Sequence, residues 1–131
     1  MKKLILFLAL TLTAQADWKQ WRGPQGAGHS DAKLPTQWSE TKNVAWRTAI
    51  PGKGWSSPVI EGNQIWMTTA FETIASEEER RERLKKNTGG VPVHVLSSVR
   101  LNAVCVDRRT GKLQHNIEVI AKKQPQWVHK L

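Results

Sequence analysis

The sequence predicts an all-β chain: one four-stranded antiparallel sheet interrupted by a single short polar helix. Three observations carry this. Short apolar or alternating runs are separated by turn-forming Gly, Pro and Asn; a charge-rich segment with helix-capping signals stands between two of them; and no apolar run reaches the ~18–20 residues of a membrane-spanning helix. The 131 residues fit at most one domain, with 20 Lys+Arg against 11 Asp+Glu, one Cys, seven Trp and no Tyr. A single cysteine excludes an intramolecular disulfide framework and any cysteine-based zinc cluster.

The first sixteen residues read as an export signal. Lys2 and Lys3 form a positive n-region, residues 4–12 an apolar core, and Ala14-Gln15-Ala16 the small-x-small pattern that signal peptidase cuts. Cleavage after Ala16 would start the mature protein at Asp17, in the periplasm or outside the cell. No cysteine follows the cleavage point to carry a lipid anchor. The remaining charge is uneven. Residues 17–79 hold six Lys/Arg against eight Asp/Glu, whereas residues 80–131 hold twelve against three. Such a basic half invites a nucleic-acid reading, but the export signal and the lack of any nucleic-acid-binding motif argue against it.

Residues 17–43 form a leader rich in Trp, Gly and Pro. It has no regular period and reads as coil pinned by Trp18, Trp21 and Trp38. Residues 44–50 alternate, with Val44, Trp46, Thr48 and Ile50 on one side, as a half-buried strand does. Pro51-Gly52-Lys53-Gly54 ends that segment. Residues 57–60 and 64–70 form a hairpin around Gly62-Asn63, both residues that tolerate positive φ. Pro58 offers no N–H and belongs at a strand start or edge.

Residues 71–99 hold the helical insertion. Ser76 and Glu79 match a capping box, Glu77, Glu78 and Glu79 place acids in the first turn, and Arg83, Lys85 and Lys86 place bases in the last. Glu77–Arg81, Glu79–Arg83 and Glu82–Lys86 are favourable i,i+4 pairs. Leu84 is the only apolar residue, so the helix should lie in solvent, and Gly89-Gly90 should stop it. Residues 101–106 are nearly continuously apolar, the pattern of a strand covered on both faces. Asp107-Arg108-Arg109-Thr110-Gly111 is a turn, in which Asp107 accepts from nearby backbone N–H groups and Gly111 takes the left-handed conformation. Residues 112–119 then alternate, with Leu113, His115, Ile117 and Val119 inward.

A sheet covered on both faces needs neighbours on both sides, and one all-polar helix cannot supply them. Other sheets must, which points to a blade of a β-propeller. Residues 43–46 match residues 112–115 in pattern, with Trp46 at the place of His115, so segment 44–50 reads as the outer strand of a preceding or closing blade.

Ser56-Ser57-Pro58-Val59-Ile60, the Gly62-Asn63 turn and Cys105-Val106-Asp107-x-x-Thr110-Gly111-Lys112-Leu113 together resemble one blade of the PQQ-like, quinoprotein-type β-propeller repeat. The leader, with Asp17-Trp18-x-x-Trp21-Arg22-Gly23-Pro24, Leu34-Pro35 and Trp38-Ser39-Glu40, is similar to that of exported bacterial proteins of this type. The resemblance spans roughly residues 17–120. It departs in one side chain, because the Trp that usually follows Thr-Gly-Lys and packs between blades is His115 here. It departs in length too: a closed propeller takes at least four blades of ~40 residues, so the chain reads as an N-terminal fragment. In that reading residues 44–120 hold one blade and a strand of another, residues 121–131 begin a linker, and the remaining blades are the partners.

The resemblance implies an exported binding or scaffold module whose propeller surface takes a protein or small-molecule ligand. Its enzymatic alternative is a PQQ- and calcium-dependent dehydrogenase with its site beyond residue 131, and a third reading is an outer-membrane assembly scaffold. No catalytic, cofactor-binding or metal-ligating residue is assigned within the chain. The adjacent-cysteine pair of many quinoprotein dehydrogenases is missing, and Asp107 and Glu61 are explained as turn residues. His29, His94, His115 and His129 lack metal-ligand spacing. Cys105 reads as a small core residue. Trp55 and Trp66 are blade anchors, with stacking on a sugar or quinone as the minor reading.

Overall fold

The computed structural model describes residues 17–54, 56–85, 93–126 and 128–129. The export signal, Trp55, Lys86 and the Gly89-Gly90 stop lie outside these residues. Strands β1 (Val59–Glu61), β2 (Gln64–Ile74), β4 (Leu96–Asp107) and β5 (Leu113–Lys123) form one antiparallel sheet in the order β1-β2-β4-β5. Helix α1 (Glu77–Leu84) is inserted between β2 and β4. The short strands β3 (Val93–His94) and β6 (Val128–His129) pair separately, a contact that two-residue strands leave no sequence pattern to announce. The chain is all-β, a four-stranded blade-like sheet with one short helix.

Local chemistry explains each boundary. Pro58 precedes the first residue of β1, where no ladder donor is needed. At the β1–β2 turn only Gly62 takes positive φ, at 54°. Asn63 does not; its side-chain amide instead donates to Asp107 Oδ2. The Ser76 hydroxyl accepts from Glu79 N at 3.2 Å, capping α1 as the sequence requires.

Helix α1 departs from expectation in how it is held. None of its residues is buried, yet Arg83 is not simply solvated. Its guanidinium donates to the Leu96 carbonyl (2.6 Å), to the Pro125 carbonyl and to Glu79 Oε1 (3.3 Å), tying the helix to the start of β4 and the segment after β5. Of the other expected pairs, Glu77 meets Arg80 rather than Arg81, and Glu82 meets Lys85.

Register separates the two faces of the sheet. Ile65, Met67, Thr69 and Phe71 of β2 share one face with Val106, Val104, Asn102 and Arg100 of β4. Trp66, Thr68 and Ala70 share the other with Cys105, Ala103 and Leu101. Val104, Cys105 and Val106 are 0–1% exposed, so this half of the apolar run in β4 is buried on both faces, whereas Leu101 at its start is 40% exposed. A second buried cluster, Ala75, Val95 and Leu96, lies beside the helix, where Ala75 N donates to the Val95 carbonyl at 2.9 Å.

β5 does not turn Leu113, Ile117 and Val119 into a core: all eleven of its residues are exposed. Its pairing with β4 also slips twice, between Leu101 and Asn102 and between Cys105 and Val106, leaving Val119 and Gln114 as extra residues.

Segment 44–50 keeps its alternation from Trp46 onward, with Val44 41% exposed, but joins no ladder among the described residues. Trp46, Thr48 and Ile50 are half-buried, and Ala45, Arg47 and Ala49 are exposed. Trp18 pins the leader, exchanging two 2.8 Å backbone hydrogen bonds with Ile60 at the edge of β1. Trp21 and Trp38 are not anchors; they are 68% and 59% exposed.

Candidate functional site

Candidate side chains converge at the end of the sheet where β4 turns into β5. Asp107 closes this turn. Its Oδ1 accepts from Arg109 N (3.0 Å), Thr110 N (2.8 Å) and the Thr110 hydroxyl (2.9 Å), while Oδ2 accepts from the Asn63 and Gln114 amides. Hydrogen bonds from the Thr110 backbone and hydroxyl hold its carboxyl below the usual aspartate range. With five donors on two oxygens, the carboxylate has no free lone pair with which to take a substrate proton.

Gly111 follows at φ 70°. The Trp46 indole packs directly on it: a Cβ built there would meet the ring at 2.6–2.7 Å. Trp46 Nε1 donates to the Arg108 carbonyl at 3.0 Å, and the Thr48 hydroxyl donates to the Gly111 carbonyl. Segment 44–50 thus seats Trp46 and Thr48 on the Asp107–Gly111 turn.

The second constellation lies on one cross-strand row, Trp66 opposite Cys105 opposite His115. The Trp66 and His115 rings stack, with centroids 5.8 Å apart and planes 10° from parallel. Both flank Cys105, which is fully buried, and burial pushes its thiol up. A thiol so held is mainly protonated at neutral pH and is a poor nucleophile. The His115 ring is thus engaged by Trp66 of its own sheet.

The remaining candidates stay apart. Glu61 pairs with Lys19 at 2.8 Å. His29 lines a groove of about 530 Å³ with Asp17, Trp18 and Asp31, and Asp17 is already engaged by Gly62 N and Lys19. His94 lies in β3 and His129 in β6. Among the described residues no three His, Cys, Asp or Glu side chains group closely enough to hold a metal ion. No described helix is long and apolar enough to cross a membrane.

What sequence reasoning missed is a groove of about 460 Å³ bordered by Ala70, Leu101, Val119 and Ile120, with Lys53 and Ser56 at its rim. Its only sequence signal was the apolar alternation of β5, read as core-facing.

The site is therefore a docking turn and an apolar sheet face, with its polar side chains engaged in holding the fold. No family model, curated protein or solved structure matches the chain.

Proposed function

We propose that the chain is a non-catalytic module of an exported PQQ-like β-propeller protein, in which this sheet serves as one blade of a binding or scaffold surface. The observation that carries the reading is the seating of Trp46 on Gly111. A tryptophan from a strand-like segment that precedes the sheet closes on the Asp-x-x-Thr-Gly turn, the junction by which successive repeats would be tied together. The commitment of Asp107 to five hydrogen bonds supports a structural role for the turn. Export rests on residues 1–16, and the covering sheets on either side would be further blades of the same repeat.

The test is a titration of the full-length protein, including the blades expected beyond residue 131, with PQQ and calcium together, followed by tryptophan fluorescence. A scaffold module gives no saturable change. Tight, stoichiometric binding would move the chain to the dehydrogenase class and overturn the reading.

A further inference from the structure

We propose that Asp17, Trp18 and Lys19 act as a guard on the β1 edge of the sheet, occupying the main-chain groups through which a strand of another molecule would add. An open sheet has two edges, and an edge strand with unpaired N–H and C=O groups is a template for pairing. In this sheet the edges are β1 and β5, and they are protected in different ways.

Along the β1 side the outward donors are taken one by one. Pro58 has none to offer. Ile60 N donates to the Trp18 carbonyl and Trp18 N to the Ile60 carbonyl, both at 2.8 Å. Gly62 N, two residues on, donates to Asp17 Oδ1 at 2.8 Å. Where β2 runs past the end of β1, Thr68 N donates to the Ser56 hydroxyl at 2.9 Å. Ala70 then exchanges two bonds with Lys53, at 2.8 and 2.6 Å. Lys53 and Ser56 lead directly into β1, whereas Trp18 is brought from a distant part of the sequence. Side chains hold it there: Lys19 pairs with Glu61 at 2.8 Å, and the Trp18 ring lies so close to Gly23 that a Cβ would come within 2.4 Å of it.

The β5 side relies on its own sequence. Among the described residues no main-chain bond reaches its outer edge. The extra residues Gln114 and Val119 instead break the regular ladder that edge pairing needs, and Lys122 and Lys123 place like charges at its end. β1 has neither device. Val59, Ile60 and Glu61 pair with β2 without a slip and include no lysine, so the protection of this edge has to come from the leader.

This inference goes beyond the blade reading: neighbouring blades would cover the faces of the sheet, whereas the guard closes an edge. Asp17→Ala with Trp18→Pro in the full chain removes the Gly62 acceptor, the donor to Ile60 and the ring on Gly23 together. Sedimentation at micromolar concentration should then show concentration-dependent association to at least about twice the mass of the wild-type particle. Trp21→Ala, at an exposed leader position, should behave as wild type. Amide exchange supplies the second readout. In the double variant the Ile60 amide should be protected in the associated particle and exchange freely on dilution, while fully buried Val104 stays protected throughout. An unchanged particle size, or association that leaves the Ile60 amide exchanging freely, would overturn the proposal. So would loss of Val104 protection, by showing that the leader holds the fold together and does not guard its edge.

Discussion

The Trp46 indole rests on Gly111 so closely that even a methyl group at that glycine would sit 2.6 Å from the ring, and its Nε1–H donates to the Arg108 carbonyl 3.0 Å away. Sixty-odd residues of sequence separate the two sides of this contact, so it joins segment 44–50 to the far end of the sheet. Trp46→Ala should lower unfolding free energy by about 2–4 kcal/mol through lost packing and one lost hydrogen bond. Trp46→Phe should recover most of the packing and leave a deficit of about 1 kcal/mol. Urea titration of the pair checks both.

Gly111 and Gly62 offer a controlled comparison. Both have positive φ, at 70° and 54°, but a Cβ at Gly62 would meet nothing within 4 Å. Gly62→Ala should therefore cost only the backbone term of about 1–2 kcal/mol. Gly111→Ala carries the same term and also displaces Trp46, so it should cost clearly more and expose the indole, visible as a red shift in tryptophan emission.

Arg83 holds α1 by three hydrogen bonds from one charged group. Arg83→Met keeps the stem and removes the donors, and should destabilise the chain by about 2–3 kcal/mol. Hydrogen exchange should quicken in residues 76–84 and leave the protection of Val104 and Val106 largely unchanged. Uniform loss of protection would show that helix and sheet unfold as one unit.

Asp107 gives the stability an acid limb. Its folded-state value lies below the 3.8 of a free aspartate, because Thr110, Arg109 and Asn63 donate to the ionised form. The stabilisation is complete above the unfolded value and disappears as pH falls through the folded one. Melting temperature should therefore drop in the range below pH 3.8, and Asp107→Asn should flatten that drop. Asp17, lowered by its hydrogen bond from Gly62 N, contributes in the same direction.

Most of the sheet was legible because its signals are local. Pro58, Gly62, Ser76 with Glu79, and Asp107 through Gly111 each act within a few residues, and each sits where its chemistry requires. The apolar run of β4 likewise announced burial on both faces, which holds for Val104–Val106 and not for Leu101. Side-chain direction in β5 was not legible, since the slip at Gln114 puts Leu113 on the opposite face from His115 and Ile117, and alternation does not report whether anything covers a face. Trp21 and Trp38 failed as anchors for the same reason: a large aromatic ring marks a capacity for burial, and its partner lies elsewhere in the fold. The Glu79–Arg83 pair was readable, but the tie of Arg83 to the rest of the fold was missed because those acceptors, Leu96 and Pro125, are main-chain carbonyls, which carry no residue-type signature. Of the docking site, the Asp-x-x-Thr-Gly turn was readable, whereas the meeting of Trp46 with Gly111 depended on long-range packing.

The central claim is that Trp46 closes segment 44–50 onto the Gly111 turn. Hydrogen exchange at its indole N–H, resolved by NMR of the full chain with Trp46→Phe to assign the signal, tests it most directly. The account predicts a Trp46 indole proton that exchanges far more slowly than that of exposed Trp21. Exchange at the same free rate for both would contradict it.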